Sequence, residues 1–236
     1  MLDDLDDDAA LRRLYTDPAD YVDSDHPSVH AFAQAAAAGA VDDKTRAVRL
    51  FAAVRDRIRY NPYVDMRAPR TFRASSVLEA GEGYCVGKAA LYAAALRSLG
   101  TPARVGFADV RNHLSSPKLL ESMGTDLFAW HGFTEIWLDG AWRKASPTFN
   151  AALCSKLGVD TLDFDGERDA LLHPYDGVGR AYMRYERQHG AFFDVPVKFL
   201  AREMARVYPQ LTAGSAGDDR PPERDMMREN DAAGAR

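Results

Sequence analysis

Two stretches of the chain carry apolar residues at helical spacing. In residues 43–60 an apolar side chain recurs every third or fourth position, with arginines between, at Ala47, Leu50, Phe51, Val54 and Ile58. This spacing predicts an amphipathic helix, which ends before Pro62 because a proline disfavours helix in the preceding residue. Residues 85–99 are rich in alanine and leucine, which predicts a second helix buried on most of its sides.

Further along, the apolar pattern becomes that of strands. Residues 133–138 and 142–145 flank the pair Asp139-Gly140, and an Asp-Gly pair between strand-like runs predicts a β-hairpin with a two-residue turn. Another strand is predicted over 104–110. Shorter helices are predicted at 27–38, 75–80 and 195–207. These elements predict an α+β fold, in which helices come first and the helix at 85–99 packs on an antiparallel sheet.

Composition divides the 236 residues into one folded domain and two ends. The first 24 residues are polar and acidic, and we expect this segment to be partly ordered. Residues 25–210 contain all the predicted elements and predict a single domain. Residues 211–236 are dominated by Gly, Ala, Asp, Arg and Pro, a composition typical of disorder.

Charge and cysteine content exclude several classes of protein. The net charge of -5 provides no basic surface for nucleic acid. No apolar run approaches the roughly 20 residues of a membrane helix, and the acidic start is unlike a signal peptide, so we expect a cytoplasmic protein. Two cysteines without a CxxC pair predict neither a disulfide framework nor a structural metal site. Oligomeric state is not readable from these features.

Cys85 is the first candidate for chemistry. It follows Gly81-Glu82-Gly83-Tyr84 and begins the predicted helix at 85–99. The free N–H groups and positive dipole end of a helix N-terminus favour a thiolate over a thiol, and they can also hold an oxyanion. The alternative is that Cys85 is a small buried apolar residue, which is common for cysteine. The position alone does not decide between the two.

His131 is the candidate base for that nucleophile. It lies just before the predicted strand at 133–138, and the two-residue turn pairs Leu138 with Ala141 and so places His131 opposite Thr148. Ser146 is then a diagonal neighbour of His131 on the same face of the hairpin. Taken alone, a histidine is more often a surface or core residue with a satisfied hydrogen bond. The register adds the expectation that a third group orients the imidazole from position 146 or 148.

Four segments together resemble the transglutaminase-like superfamily, which has a papain-like cysteine protease fold. They are Gly-Glu-Gly-Tyr-Cys-Val-Gly-Lys-Ala at 81–89, Leu-Arg-Ser-Leu-Gly-Thr-Pro-Ala-Arg-Val at 96–105, Trp-His-Gly-Phe-Thr-Glu-Ile-Trp-Leu-Asp-Gly-Ala-Trp at 130–142 and Ala-Ser-Pro-Thr-Phe-Asn at 145–150. Their order is more specific than any one of them. The resemblance is to a bacterial-type, single-domain member. It implies a cysteine nucleophile at Cys85 and a general base at His131.

The chain departs from the family pattern at one catalytic position. Many members have an aspartate before the Pro-Thr that ends the second hairpin strand, and here that position is Ser146. Serine can orient an imidazole but supplies no charge to stabilise its protonated form. Either a dyad suffices, or Ser146, Thr148, Asn150 or an acid elsewhere in the chain completes the site.

The resulting hypothesis is a cysteine-dependent acyl-transfer enzyme that acts on peptide or protein amide bonds through a thioester. Nothing in the chain resembles a calcium loop or the additional domains of cross-linking enzymes, which favours hydrolysis by a protease or amidase over transamidation. Tyr84 is a candidate lining residue of the acyl pocket, with plain packing as the equal alternative. No cofactor is expected. The competing hypothesis is a catalytically weak or inactive peptide-binding module that keeps the fold, and the missing aspartate favours it.

Overall fold

The computed structural model describes residues 13–112, 117–171 and 183–210. Its helices are α1 (Pro27–Ala36), α2 (Asp43–Arg57), α3 (Ala74–Ala80), α4 (Cys85–Ser98), α5 (Pro117–Met123), α6 (Ala151–Leu157) and α7 (Val197–Val207). Its strands are β1 (Arg59–Tyr60), β2 (Glu82–Gly83), β3 (Ala103–Asn112), β4 (Leu127–Leu138), β5 (Ala141–Ala145) and β6 (Met183–Phe192). A short 3-10 helix spans Pro69–Thr71.

The main sheet has four antiparallel strands in the order β5-β4-β3-β6. The predicted hairpin is confirmed, since Leu138 pairs with Ala141. Asp139 and Gly140 have φ values of 50° and 80°. A two-residue turn with both φ values positive matches the right-handed twist of its strands, which is why an Asp-Gly pair forms it. Strands β1 and β2 form a separate parallel pair.

Helix α4 lies at the centre of the molecule, as its alanine-rich sequence predicts. It packs on α1, α2 and α3 on one side and on β3 and β4 on the other. Every residue from Cys85 to Arg97 is buried. Small alanine side chains let the neighbouring elements approach the helix closely from both sides, so the predicted α+β architecture with this helix against an antiparallel sheet is confirmed.

A lysine on this buried helix fixes its position. Lys88 is completely buried, and its Nζ donates hydrogen bonds to the carbonyl oxygens of Arg55, at 3.0 Å, and Ile58, at 2.5 Å. Arg55 lies in the last turn of α2 and Ile58 is the residue that follows it, so both carbonyls lie at the C-terminal end of the helix, where carbonyl oxygens lack partners within the helix. Burial lowers the pKa of Lys88 to about 7. The lysine therefore joins the end of α2 to the first turn of α4, one turn from Cys85.

Several elements differ from the sequence predictions. The helix predicted over 43–60 ends at Arg57, and Arg59 and Tyr60 form strand β1 instead. Strand β4 begins at Leu127 rather than residue 133, so His131 lies inside the strand and not before it. Strand β6 was not predicted because most of its residues are polar, as an edge strand with an exposed face permits. Helix α6 was also not predicted.

Residues before the predicted domain boundary at 25 contribute to the core. Val22 is fully buried, and the Asp194 carboxylate accepts hydrogen bonds from the backbone N–H groups of Tyr21 and Val22. Residues 1–12 and 211–236 lie outside the described residues. The boundaries 1–24, 25–210 and 211–236 stay predictions.

Among the described helices, none combines the length and the apolar character that crossing a membrane requires.

Candidate active site

Cys85 is the first residue of α4 and is 8% exposed. The backbone N–H groups of Gly132, Val86 and Cys85 itself interact with its sulfur. Two of these come from the free first turn of the helix, as the sequence predicts, and one comes from β4. The sulfur is therefore surrounded by backbone donors from two different elements, an arrangement that suits a developing negative charge.

Gly132 is what allows β4 to come this close. A Cβ at this position would lie 2.7 Å from the Cα of Val86 and 3.1 Å from its backbone nitrogen. Any other residue would push the strand away from the first turn of α4. Since His131 precedes Gly132, the same close approach brings the histidine to the cleft that contains Cys85.

His131 is 4% exposed and is oriented by the end of the hairpin. Its Nε2 lies 3.2 Å from the hydroxyl oxygen of Ser146, which in turn lies 2.8 Å from the hydroxyl oxygen of Thr148. The neighbourhood predicted from the hairpin register is therefore present. Asn150 is engaged elsewhere, because its Oδ1 accepts a hydrogen bond from the backbone N–H of Tyr60. No carboxylate in the described part of the chain is hydrogen-bonded to the imidazole.

Burial keeps both members of the pair neutral. It raises the pKa of the Cys85 thiol to about 11, and the three backbone N–H groups only partly oppose it. Burial alone lowers the pKa of His131 to about 4. The N–H groups at the helix N-terminus lower the pKa of the thiol, which is the direction expected from the sequence, but removing the sulfur from water outweighs that contribution. At neutral pH the site holds a thiol and a neutral imidazole.

Cys85 and His131 both line one cleft, whose volume to its open mouth is about 410 Å³. Its walls are mostly apolar side chains from separate segments, among them Met66, Leu119, Met123, Phe128, Met204 and Tyr208. An apolar pocket that also contains convergent reactive groups is the natural candidate for an active site.

Tyr84, the residue before Cys85, is buried. It lines the cleft beside Cys85, and its ring also packs edge-to-face on Phe72 with ring centroids 5.7 Å apart. On the opposite wall the hydroxyl of Tyr208 accepts a hydrogen bond from the Ala129 N–H at 2.5 Å and donates one to the Leu127 carbonyl at 2.8 Å. Tyr208 thus ties the end of α7 to the start of β4. Nothing in the sequence around Tyr208 indicated that it contacts β4.

The core model of the transglutaminase-like superfamily matches residues 30–147, a segment that contains Cys85, His131 and Ser146. The chain belongs to the transglutaminase-like superfamily. Membership supports a cysteine-dependent activity in general terms and agrees with the α+β fold.

Comparison with other proteins adds one likeness. A crystal structure of a "putative cysteine protease" from Cytophaga hutchinsonii is similar, with a TM-score of 0.46 and 16% sequence identity. The similarity covers 76% of this chain and 46% of that one, so the chain spans less than half of that protein's length. No curated protein matches the chain.

In this transglutaminase-like chain, β4 contains a bulge that sequence reasoning missed. Ala108 of β3 pairs with His131 and Val110 pairs with Phe128, so β4 has one residue more than β3 between the two pairs. Trp130, within the bulge, has a φ of 56°, a left-handed conformation rare for a large side chain. In a regular strand, residues three apart face opposite sides. Because of the bulge, Phe128 and His131 both line the cleft.

Two side chains hold the bulge in place. The Oδ1 of Asp109 accepts a hydrogen bond from the backbone N–H of Trp130 at 3.0 Å and lies 2.7 Å from Nε2 of His189. The ring of His189 stacks on the indole of Trp130. Left-handed backbone for a bulky residue costs of order 1–3 kcal/mol and persists only where its surroundings fix it.

Proposed function

We propose that the chain is a cysteine-dependent acyl-transfer enzyme that opens amide bonds of a peptide or protein through a thioester on Cys85, with water as the final acceptor. The observation that carries the proposal is the shared cleft. It contains a buried thiol among three backbone donors and a neutral imidazole oriented by a hydroxyl. These are the nucleophile, the oxyanion donors and the base that acyl transfer requires.

In the first half-reaction His131 acts as the general base. Its Nε2 is engaged by Ser146, which leaves Nδ1 to take the thiol proton as sulfur attacks the carbonyl carbon. The carbonyl π electrons move to oxygen, and the donors that we propose for this oxyanion are the backbone N–H groups beside the sulfur, those of Cys85, Val86 and Gly132. When the oxyanion collapses, the C–N bond breaks. The leaving amine takes the proton from His131, and the acyl group stays on sulfur.

The second half-reaction reverses the proton transfer. His131 removes a proton from water, which attacks the thioester carbonyl and forms a C–O bond. The C–S bond then breaks, the thiolate regains its proton from the imidazolium, and a carboxylic acid leaves. The complete cycle returns His131 and Cys85 to the neutral imidazole and the thiol, the forms that their pKa values favour at rest.

The acceptor is the point on which hydrolysis and cross-linking differ. An acceptor lysine would bring an ammonium group to the cleft. In the described part of the chain, the residues lining the cleft include no carboxylate that would receive it. Water requires no such recognition, and for this reason we propose a protease or amidase.

Single-turnover acylation tests the proposal without a known substrate. The protein is mixed with p-nitrophenyl acetate, the burst of nitrophenol is followed, and the acyl group is located by peptide mass spectrometry. We expect one acetyl group on Cys85, no adduct in Cys85→Ala and a much slower burst in His131→Ala. Cys154→Ser is the matched control, because Cys154 is also a buried cysteine but lies on α6, away from the cleft.

The outcomes of this test are distinct. An adduct on Cys85 that clears in water supports hydrolysis, and one that clears only with added methylamine points to transamidation. Wild-type protein that is acylated no faster than Cys85→Ala contradicts the enzyme proposal.

The second candidate is the peptide-binding module. It is favoured by the pKa of about 11 for the Cys85 thiol, and by the finding that no charged group of the described residues is hydrogen-bonded to His131. An inert Cys85, together with peptide binding that survives in Cys85→Ala, is the result expected of such a module.

A further inference from the structure

We propose that the cleft beside Cys85 selects substrates with an apolar acyl group, the part of the substrate that forms the thioester. This inference rests on the proposed function and names its substrate class. The occupant is fixed by geometry, because Cys85 itself lines the cleft and whatever is joined to its sulfur must lie within or along these walls.

Three methionines from three separate segments meet in this cleft. Met66 belongs to the loop after β1, Met123 ends α5, and Met204 lies in α7. Methionine is unbranched and polarisable, and it adapts its shape to the group it contacts. Such walls suit a range of flexible apolar chains better than one rigid group.

The remaining wall is also apolar on the side that faces the substrate. Leu119 of α5 and Phe128 of the bulged strand line the cleft. Tyr208 contributes its ring, because its hydroxyl is already bonded to the backbone of β4 at Ala129 and Leu127. The bulge therefore has a consequence for recognition, since it turns Phe128 to the same side as His131.

Charge is what this lining lacks. The lining side chains of the described residues include no Asp, Glu, Lys or Arg, and burial is the only cause of the lowered pKa of His131. A charged acyl group would leave water without gaining a partner, which is costly, whereas an apolar one gains from leaving water.

The test compares p-nitrophenyl esters of equal chain length, hexanoate and the mono-ester of adipic acid, with acetate as reference. The rate constant for acylation of Cys85 is divided by that of free N-acetylcysteine with the same ester, which removes differences in intrinsic reactivity. We expect the corrected rate for hexanoate to exceed that for adipate by at least about tenfold, since the two acyl chains differ only at their end, where a methyl group gains from leaving water and a carboxylate is penalised.

Corrected rates for hexanoate and adipate that are equal, or that favour adipate, overturn the inference. The acetate reaction separates this from failure of the proposed function: acetylation of Cys85 without discrimination between the longer esters removes only the apolar preference, and no acylation by any ester removes the function itself.

A pair of variants locates the selection in the cleft. Met66 is half-buried in a loop and packs against the outside of the core, so its replacement changes no fully buried position. Met66→Arg introduces a cation that attracts the adipate carboxylate, and we expect it to lower the hexanoate-to-adipate ratio at least threefold. Met66→Gln, of similar length but neutral, changes that ratio less. A ratio that Met66→Arg leaves unchanged overturns the placement of the acyl group against these methionines.

Discussion

The indole of Trp130 stacks on the imidazole of His189, with ring centroids 3.9 Å apart and ring planes 8° from parallel. The two residues belong to the two strands that flank β3. Trp130 lies in the bulge of β4, and His189 is the extra residue of a second bulge, because Phe107 pairs with Gly190 and the next residue, Ala108, pairs with Gln188. The stack therefore joins the bulge of β4 to the bulge of β6 across β3, and Trp130 is the residue next to His131 in the chain.

Asp109 contacts both residues of this stack through its carboxylate. We expect it to position His131 without touching substrate. Asp109→Ala removes the acceptor of the Trp130 N–H, which costs roughly 1–3 kcal/mol of unfolding free energy. Acylation of Cys85 slows by about tenfold or more, because small misplacements of a catalytic group are expensive in rate. Burst kinetics and urea unfolding measure the two effects.

Conservative replacements distinguish an effect on the position of His131 from a general loss of folding stability. Asp109→Asn keeps an oxygen acceptor for Trp130, and His189→Phe keeps an aromatic ring to stack on it. Both variants should keep most of the wild-type rate of Cys85 acylation, unlike Asp109→Ala. If Asp109→Asn is as slow as Asp109→Ala despite normal stability, the bulge does not position His131.

The lowered pKa of His131 makes stability depend on pH in a defined window. The unfolded chain takes up a proton near pH 6.5 and the folded chain only near pH 4, so stability is full above pH 6.5 and is lost as the pH falls towards 4. The loss attributable to this residue is about 3 kcal/mol. It is measured as the difference in urea unfolding between wild type and His131→Asn at pH 7, 6, 5 and 4. Parallel curves for the two proteins contradict a buried neutral His131.

Ser146 is the position at which a charge can be restored. In Ser146→Asp a carboxylate faces Nε2 of His131, which raises the pKa of the imidazole and stabilises its protonated form. We expect faster alkylation of Cys85 by iodoacetamide at pH 7 and a pH profile that extends to lower pH. Ser146→Ala, which removes the hydroxyl, should slow alkylation. Profiles that coincide in all three proteins would remove Ser146 from the site.

Substitution of Gly132 tests whether the close approach of β4 to α4 is needed for the site. In Gly132→Ala the new Cβ meets the backbone of Val86, and we expect a loss of about 1–3 kcal/mol from overpacking together with slow acylation of Cys85. Gly158→Ala is the control, because its Cβ would meet nothing within 4 Å, although its φ of 66° carries some strain. That control should acylate at the wild-type rate. Equal acylation rates in both variants would exclude a role for Gly132 in the site.

The local rules of helix and turn formation made much of this molecule predictable from its sequence. The alanine-rich helix at 85–98, the Asp139-Gly140 turn and the placement of Cys85 at a helix start depend on residues close together in the chain. The contact between His131 and Ser146 also follows from local register, since a two-residue turn fixes which residues of a hairpin are neighbours.

Tertiary structure decided the rest, because burial and bulges depend on what packs from elsewhere in the chain. The helix N-terminus of Cys85 is a local feature that favours a thiolate, but the surrounding elements exclude water and raise the pKa of the thiol. The bulge at Trp130 needs Asp109 from β3 and His189 from β6, strands that the sequence around residue 130 does not contain. The sequence by itself therefore determined which residues are candidates for chemistry. Only the fold determined their charge state and the apolar cleft in which they meet, since both depend on the exclusion of water by distant segments.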